Sequence, residues 1–201
     1  MFRKLLLVTS AIGAFLVPPA YGAWLIDGNA GVGIPTGDLG DLFGSGLLVG
    51  ASVGYLSAPF EIGVDVSMTQ NDMSGEWEEA HVAIGAEDEL KFFQYGVHAR
   101  WMSPSQSTLS PYFGVGLGGY NIKERYTEGD LEEEPSETVL GVNARAGLNY
   151  WISSAWGIGA DLSYHTAWLD EDGSEFPEEF GSSAQFIGVA LGLRYRISPS
   201  Y

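Results

Sequence analysis

Eight stretches of this chain alternate apolar and polar side chains with period two, and each carries an aromatic at the same end. Such alternation belongs to β-strands, whose successive side chains point to opposite faces. From Phe60, one face collects Ile62, Val64, Val66 and Met68, while Glu61, Gly63, Asp65, Ser67 and Thr69 line the other. Trp156 to Trp168 repeats the pattern, with Ile158, Ala160, Leu162 and Tyr164 set against Gly157, Gly159, Asp161, Ser163 and His165. Ile187 to Ile197 sets Val189, Leu191, Leu193 and Tyr195 against Gly188, Ala190, Gly192, Arg194 and Arg196. The other five stretches run near Trp24–Ile34, Leu47–Leu56, Glu89–Met102, Pro111–Ile122 and Thr138–Ile152. Pro111–Ile122 is the weakest. Its stripe of Phe113, Val115 and Leu117 fades into Gly119 and Asn121, while Tyr120 and Ile122 fall on the other face, so a β-bulge is expected there.

Short links alternate with long ones. Ser57–Pro59, Ser103–Ser110 and Ser153–Ala155 are short; Pro35–Gly46, Gln70–Asp88, Lys123–Glu137 and Leu169–Ser183 are long and mostly acidic. If the strands run up and down in order, the eight aromatics Trp24, Tyr55, Phe60, Trp101, Phe113, Tyr150, Trp156 and Tyr195 all fall on the short-link end. An aromatic ring at one interface and long loops at the other are the asymmetry of a transmembrane barrel. An even strand count also returns both termini to the short-link side. The expected fold is therefore all-β: an eight-stranded, antiparallel, up-and-down transmembrane β-barrel.

Periodicity alone does not say which face is outside. A soluble lipocalin-like barrel would bury the apolar face. Three features favour the inverted arrangement. The polar faces are rich in glycine (Gly114, Gly116, Gly118, Gly157, Gly159, Gly188, Gly192), which suits a crowded interior. The aromatics sit at stripe ends rather than mid-stripe. The charge on the polar faces is balanced, with Asp27, Glu61, Asp65 and Asp161 against Arg100, Arg145, Arg194 and Arg196. A narrow lumen holding charges has to pair them, because an unpaired buried charge costs several kcal/mol. His98, His165, Gln94, Asn29, Asn143 and Asn149 are available to complete the hydrogen bonds. Side chains that plug the barrel are the expectation, and a gated conduit is the alternative.

The N-terminus is a targeting segment. Arg3 and Lys4 precede the short apolar run Leu5–Val17, and Ala20-Tyr21-Gly22 supplies small residues at the two positions a signal peptidase reads. Residues 1–22 are expected to be a signal peptide and 23–201 the barrel domain, a mature chain of 179 residues. The apolar run is too short for a spanning helix. Export without cysteine removes thiol catalysis and thiolate metal sites. The net charge of −17 becomes −19 without Arg3 and Lys4, which rules against a nucleic-acid partner. Of the 26 acidic residues, the pattern places 22 in loops and only Asp27, Glu61, Asp65 and Asp161 in strands.

Three stretches resemble the small outer-membrane β-barrel family of OmpA/OmpX-like, porin-family proteins. They are Asn29-Ala30-Gly31-Val32-Gly33-Ile34-Pro35-Thr36-Gly37, Tyr150 to Asp161, and the ending Gly188 to Ile197. The resemblance implies a place in the bacterial outer membrane and insertion by the barrel-assembly machinery, which reads a last strand closed by an aromatic. Here Tyr201 keeps the parity of Tyr195 and Ile197, although Pro199 interrupts it. It implies architecture well and activity poorly, since one fold hosts many roles.

Candidate chemistry is sparse. The acidic clusters Glu76/Glu78/Glu79, Glu132–Glu134, Asp170–Asp172 and Glu178/Glu179 could hold divalent cations at a lipopolysaccharide surface, but their spacing matches no calcium loop. Solvated, mutually repelling loops are the plainer reading. A lipid A-modifying enzyme needs a nucleophile or acid/base set at the outward strand ends. His165 points inward, and His81, Ser74 and Asp72 share one loop without an evident order. His98 and His165 with Asp65 or Asp161 make a weak metal signal, and Gly114–Gly119 is a packing motif with no helix after it. No enzyme activity, cofactor or metal is therefore expected. The expected role is a structural or surface-interaction one exercised through four loops. The alternatives are a narrow channel for small solutes or, further off, a lipid A-modifying enzyme or a lipocalin-like binder. Expected partners are outer-membrane lipid and lipopolysaccharide, with a cell-surface or basic protein as a further candidate, and the chain is expected to be a monomer.

Overall fold

Each alternating stretch forms a strand, and each of these eight strands pairs with a neighbour on both sides. The computed structural model describes residues 22–72, 86–103, 108–128, 131–133, 136–169 and 182–198. Its elements are β1 (Ala23–Thr36), α1 (Asp38–Leu42), β2 (Gly46–Ser57), β3 (Phe60–Asp72), β4 (Ala86–Met102), β5 (Leu109–Glu128), β6 (Leu131–Glu133), β7 (Ser136–Trp151), β8 (Trp156–Trp168) and β9 (Ser183–Ile197). All pairings are antiparallel. The order β4-β3-β2-β1-β9-β8-β7-β5 is joined end to end by β4–β5, and β6 adds only to the tip of β5. The result is a closed barrel of eight strands. Closure leaves no edge among the eight strands, so the wall is bridged by ladders all the way round, the condition for strands to lie in hydrocarbon.

The faces are inverted relative to a soluble protein. Leu191 is 73% exposed, Leu140 67% and Val115 62%, whereas Glu61 is 0% and Arg100 3%. An apolar exterior around charged, buried residues excludes the lipocalin-like arrangement, because water would then meet the wrong face.

The strands outrun the alternating stretches at the loop end. Asp72, Glu89, Glu124 and Glu137 lie within β3, β4, β5 and β7, so acidic residues continue the ladder beyond the apolar band rather than leaving it at once. A hairpin needs only paired backbones to persist into water, and the apolar stripe reports where lipid ends rather than where the strand does. The bulge expected near Gly119 is absent. β5 keeps one register with β4 from Ala86↔Glu128 to Met102↔Tyr112 and with β7 from Leu109↔Tyr150 to Lys123↔Ser136. Tyr120 and Ile122 keep the inward parity of Gly118 and are fully buried. The stripe fades because the loop half of the interior is itself apolar.

Candidate functional site

The interior is built in three layers. The middle one is ionic. Arg100 donates from Nη1 to Asp27 Oδ2 at 2.5 Å and to Glu61 Oε1 at 3.4 Å, and from Nη2 to Ser52 Oγ at 3.1 Å. Ser52 Oγ donates in turn to Asp27 Oδ2 at 3.0 Å. Arg194 reaches Asp161 Oδ1 at 3.0 Å and Asp27 Oδ1 at 3.4 Å, and its other amino group donates to Asn149 Oδ1. Arg145 donates to Asp65 Oδ2 at 2.9 Å and to Asn143 Oδ1 at 3.2 Å. His98 bridges two strands of the wall, with Nδ1 3.0 Å from Asp65 Oδ1 and Nε2 3.1 Å from Glu61 Oε1. The layer holds four carboxylates and three guanidinium groups, with His98 between Asp65 and Glu61.

Glycine makes room for this density at two positions. A Cβ on Gly54 would lie 2.3 Å from Glu61 Oε1, and one on Gly63 would lie 2.7 Å from His98 Nε2. Both contacts are shorter than side chains tolerate.

Apolar clusters flank the ionic layer at both ends. At the turn end, Leu25, Met102 and Tyr112 pack with Leu56 and Trp151. Arg100 and Arg194 lie over the Tyr112 ring, 5.7 and 4.5 Å from its centroid, so the floor of the ionic layer is a cation–π contact. At the loop end, Leu48, Leu90, Phe92, Tyr120, Ile122, Val139 and Phe186 form a larger cluster. His165 belongs to it. Its ring stacks on Phe186 at 4.2 Å, with Tyr120 Oη 3.0 Å from Nδ1 and Ser163 Oγ 3.1 Å from Nε2.

α1 completes this layer from above. The segment Pro35–Gly46, read from sequence as an acidic loop, carries Leu39 and Phe43 into the cluster while Asp38 and Asp41 stay outside. Gly37 turns the chain into α1 at φ +64°, a conformation that suits glycine. Asn71 holds the base of the segment, its amide donating to Gly33 O at 3.1 Å and to Gly44 O at 2.9 Å.

The structure brings seven of the eight expected interior charges into one network and leaves Arg196 apart. Arg196 stacks over Trp151 at 3.8 Å at the turn end, too far along β9 to reach the carboxylates. His98 stands between two of the carboxylates instead. Ser52, Tyr112, Tyr120 and Asn71 are the residues that sequence reasoning missed. Their inward parity was readable for all four; their height in the barrel was not. The eight aromatics all stand on the outward face at the turn end, where Trp24 and Tyr55 (5.4 Å), Trp101 and Phe113 (5.1 Å) and Trp156 and Tyr195 (4.5 Å) pair ring against ring. The signal segment, Ser74, Glu76, Glu78, Glu79, His81, Glu134, Asp170–Asp172, Glu178, Glu179, Pro199 and Tyr201 lie outside the described residues, as do the side chains of Glu132 and Glu133. Among the described residues, no group of three or more His, Cys, Asp or Glu is arranged to hold a metal ion.

This geometry has known counterparts. Neisserial surface protein A is 17% identical, with a TM-score of 0.62 over 86% of this chain and 97% of that one. A major outer membrane protein of Thermus thermophilus is 12% identical, with a TM-score of 0.61 over 88% and 99%. Ail, the attachment invasion locus protein of Yersinia pestis, is 16% identical, with a TM-score of 0.50 over the same shares. A comparison with curated proteins finds no match. The family model described as "Outer membrane protein beta-barrel domain" matches residues 7–196, and with the closed, inside-out barrel this shows that the chain belongs to that family and resides in the bacterial outer membrane.

Proposed function

We propose that this protein is a closed, non-conducting outer-membrane barrel whose role is exercised at the cell surface by the segments above the membrane. The observation that carries the reading is the layered interior: an apolar cluster capped by Leu39 and Phe43, an ionic layer, and an apolar floor around Tyr112. A cavity of about 30 Å³ beside Asn29, Asp65, Arg145 and His165 has room for a water or two and no solute. Bilayer conductance tests it. The expected result is no steady current from the purified barrel at any holding voltage; a reproducible single-channel step would overturn the closed reading in favour of a narrow solute channel.

Non-enzymatic action fits the same interior. Ser163 and His165 sit two apart on one strand, and a tyrosine hydroxyl rather than a carboxylate faces His165 Nδ1. That set is enclosed by the apolar cluster, out of reach of a lipid ester. Two structural relatives carry "surface protein" and "attachment invasion" in their names, and the acidic long segments of this chain suit a basic partner. Residues 1–22 act as the signal peptide and β9 as the segment read by the assembly machinery, giving a monomer in lipid. Exchanging the acidic segments for neutral ones is expected to abolish the surface phenotype while interior variants that still fold leave it intact.

A further inference from the structure

The two ends of the barrel differ in charge. Acidic residues crowd the long links, whereas Ser57–Pro59, Ser103–Ser110 and Ser153–Ala155 hold no charged residue of either sign. Past the ionic layer at the turn end, the one charged side chain among the described residues is Arg196. Of the four inward arginines it alone has no carboxylate, since Asp27, Glu61, Asp65 and Asp161 are taken by Arg100, Arg145 and Arg194. Its Nε is buried without a hydrogen-bond partner. So are Asn149 Nδ2 and Tyr112 Oη, on residues that are 0% and 3% exposed. All three atoms can donate. This end of the interior therefore holds donors in excess, and buried donors left unpaired are costly.

The wall is shaped to present Arg196. On β8, Gly157 stands opposite Trp151 and Gly159 opposite Asn149. A Cβ on Gly157 would lie 3.0 Å from the Trp151 ring, and one on Gly159 would lie 3.3 Å from Arg194 Nε. With those positions bare, the arginines of β9 lie across β8 towards β7. Arg194 reaches Asn149, and the Arg196 guanidinium lies 3.8 Å from the centroid of the Trp151 ring. Stacking fixes the guanidinium plane and leaves its N–H edge, the geometry in which arginine takes a planar carboxylate through two parallel bonds. Trp151 and Leu56 are only partly buried beside the apolar floor, and Leu25 of that floor stands opposite Arg196 on β1.

We propose that the turn-end mouth is a binding site for a carboxylate carried on an apolar group, with the carboxylate on Arg196 and the apolar body against Trp151 and Leu56. One guanidinium matches a singly charged head. A phosphate dianion would bring a second charge that no described residue at this end offsets. The short turns of outer-membrane barrels face the periplasm, so the ligand arrives from that side. The site depends neither on whether the lumen conducts nor on what the long segments meet.

The test is NMR of the isotope-labelled full barrel in lipid nanodiscs, read at the Arg196 Nε–H and the Trp151 indole N–H. The probes are benzoate, benzyl alcohol and phenyl phosphate, each titrated at constant ionic strength. Benzoate is expected to shift both resonances along a saturating curve, benzyl alcohol to bind about ten-fold more weakly, and phenyl phosphate no better than benzoate. Arg196→Gln is expected to lose about ten-fold in benzoate affinity, read at the Trp151 indole, and Arg196→Lys to retain more of it. Retained gel-mobility shift on boiling reports that each variant is folded. Should Arg196→Gln lose that shift, benzoate against benzyl alcohol on the wild type decides the case. Equal binding of those two probes, or unchanged benzoate binding by the folded Arg196→Gln, would overturn the proposal. So would tighter binding of phenyl phosphate, which would make the mouth a general anion site. Equal shifts at the outward Trp24, Trp101 and Trp156 indoles would overturn it as well, by showing that the probe only partitions into lipid.

Discussion

Arg100 is the residue on which most of the interior converges. It touches Asp27, Glu61 and Ser52 and lies over Tyr112, so it links β1, β2, β3 and β5 from its place on β4. Arg100→Ala leaves Glu61 with His98 and Asp27 with the longer contact to Arg194, each short of a charged donor. Breaking a buried ion pair from one side costs about 3–5 kcal/mol, and that loss is expected in urea unfolding of the lipid-reconstituted barrel. Arg145→Ala removes only one donor from Asp65, which His98 still holds at 3.0 Å, so about 1–3 kcal/mol is expected. The reverse order, or two variants unfolding like wild type, would show that the ionic layer does not act as a connected unit. Gly63→Ala is expected to destabilise as well, through the clash of its Cβ with the His98 ring. Residue identity and parity in the sequence led to most of this layer, because a charged residue on the inner face has nowhere else to go. They did not lead to the pairing. Arg196 and His98 share inward parity, and only the stagger of the strands decides which of them stands level with the carboxylates.

At the scale of elements, α1 and β5 show where sequence periodicity falls short. A five-residue helix is too short to be stable alone, so its existence depends on what Leu39 and Phe43 meet rather than on helix propensity. The sequence held a trace of it, since Leu39, Leu42 and Phe43 fall at helical spacing within an otherwise acidic link. β5 misled in the opposite sense. Its outer stripe ends at Leu117 while its inner face becomes apolar at Tyr120, so a continuous strand imitates a bulge. Because α1 is held by two apolar anchors and by Asn71, its undocking is expected to be local. Leu39→Ala/Phe43→Ala should speed hydrogen exchange at the Phe43 and Gly44 amides, which bond Leu39 O and Asp72 O. Amides of the ladder between Val64 and Val97 should exchange as in wild type. If the whole ladder loosened with them, the cap would be part of the barrel's cooperative core and not a separable element.

For the molecule as a whole, the decisive fact belongs to no single stretch. Eight alternating segments were legible because lipid demands an unbroken apolar exterior, and their even number returns both ends of the chain to the side with short turns. Closure itself was inferred from the membrane rather than seen in any residue. It rests on the β1–β9 ladder, which joins the first and last strands of the chain. A closed ladder has no fraying edge, so its strands are lost together or not at all. Full-length protein extracted from membranes is therefore expected to run as a compact band in detergent gels and to shift on boiling. Removing 183–197 deletes β9 and exposes the edges of both β1 and β8. The remaining seven strands could close only by pairing β1 with β8, and Asp27 and Asp161 would both have lost Arg194, which lies 3.4 and 3.0 Å from them in the full barrel. The truncated chain is expected to run at one position whether boiled or not. A truncated chain that kept the shift would mean that the β1–β9 seam is dispensable and that closure follows from the wall's composition rather than from this register.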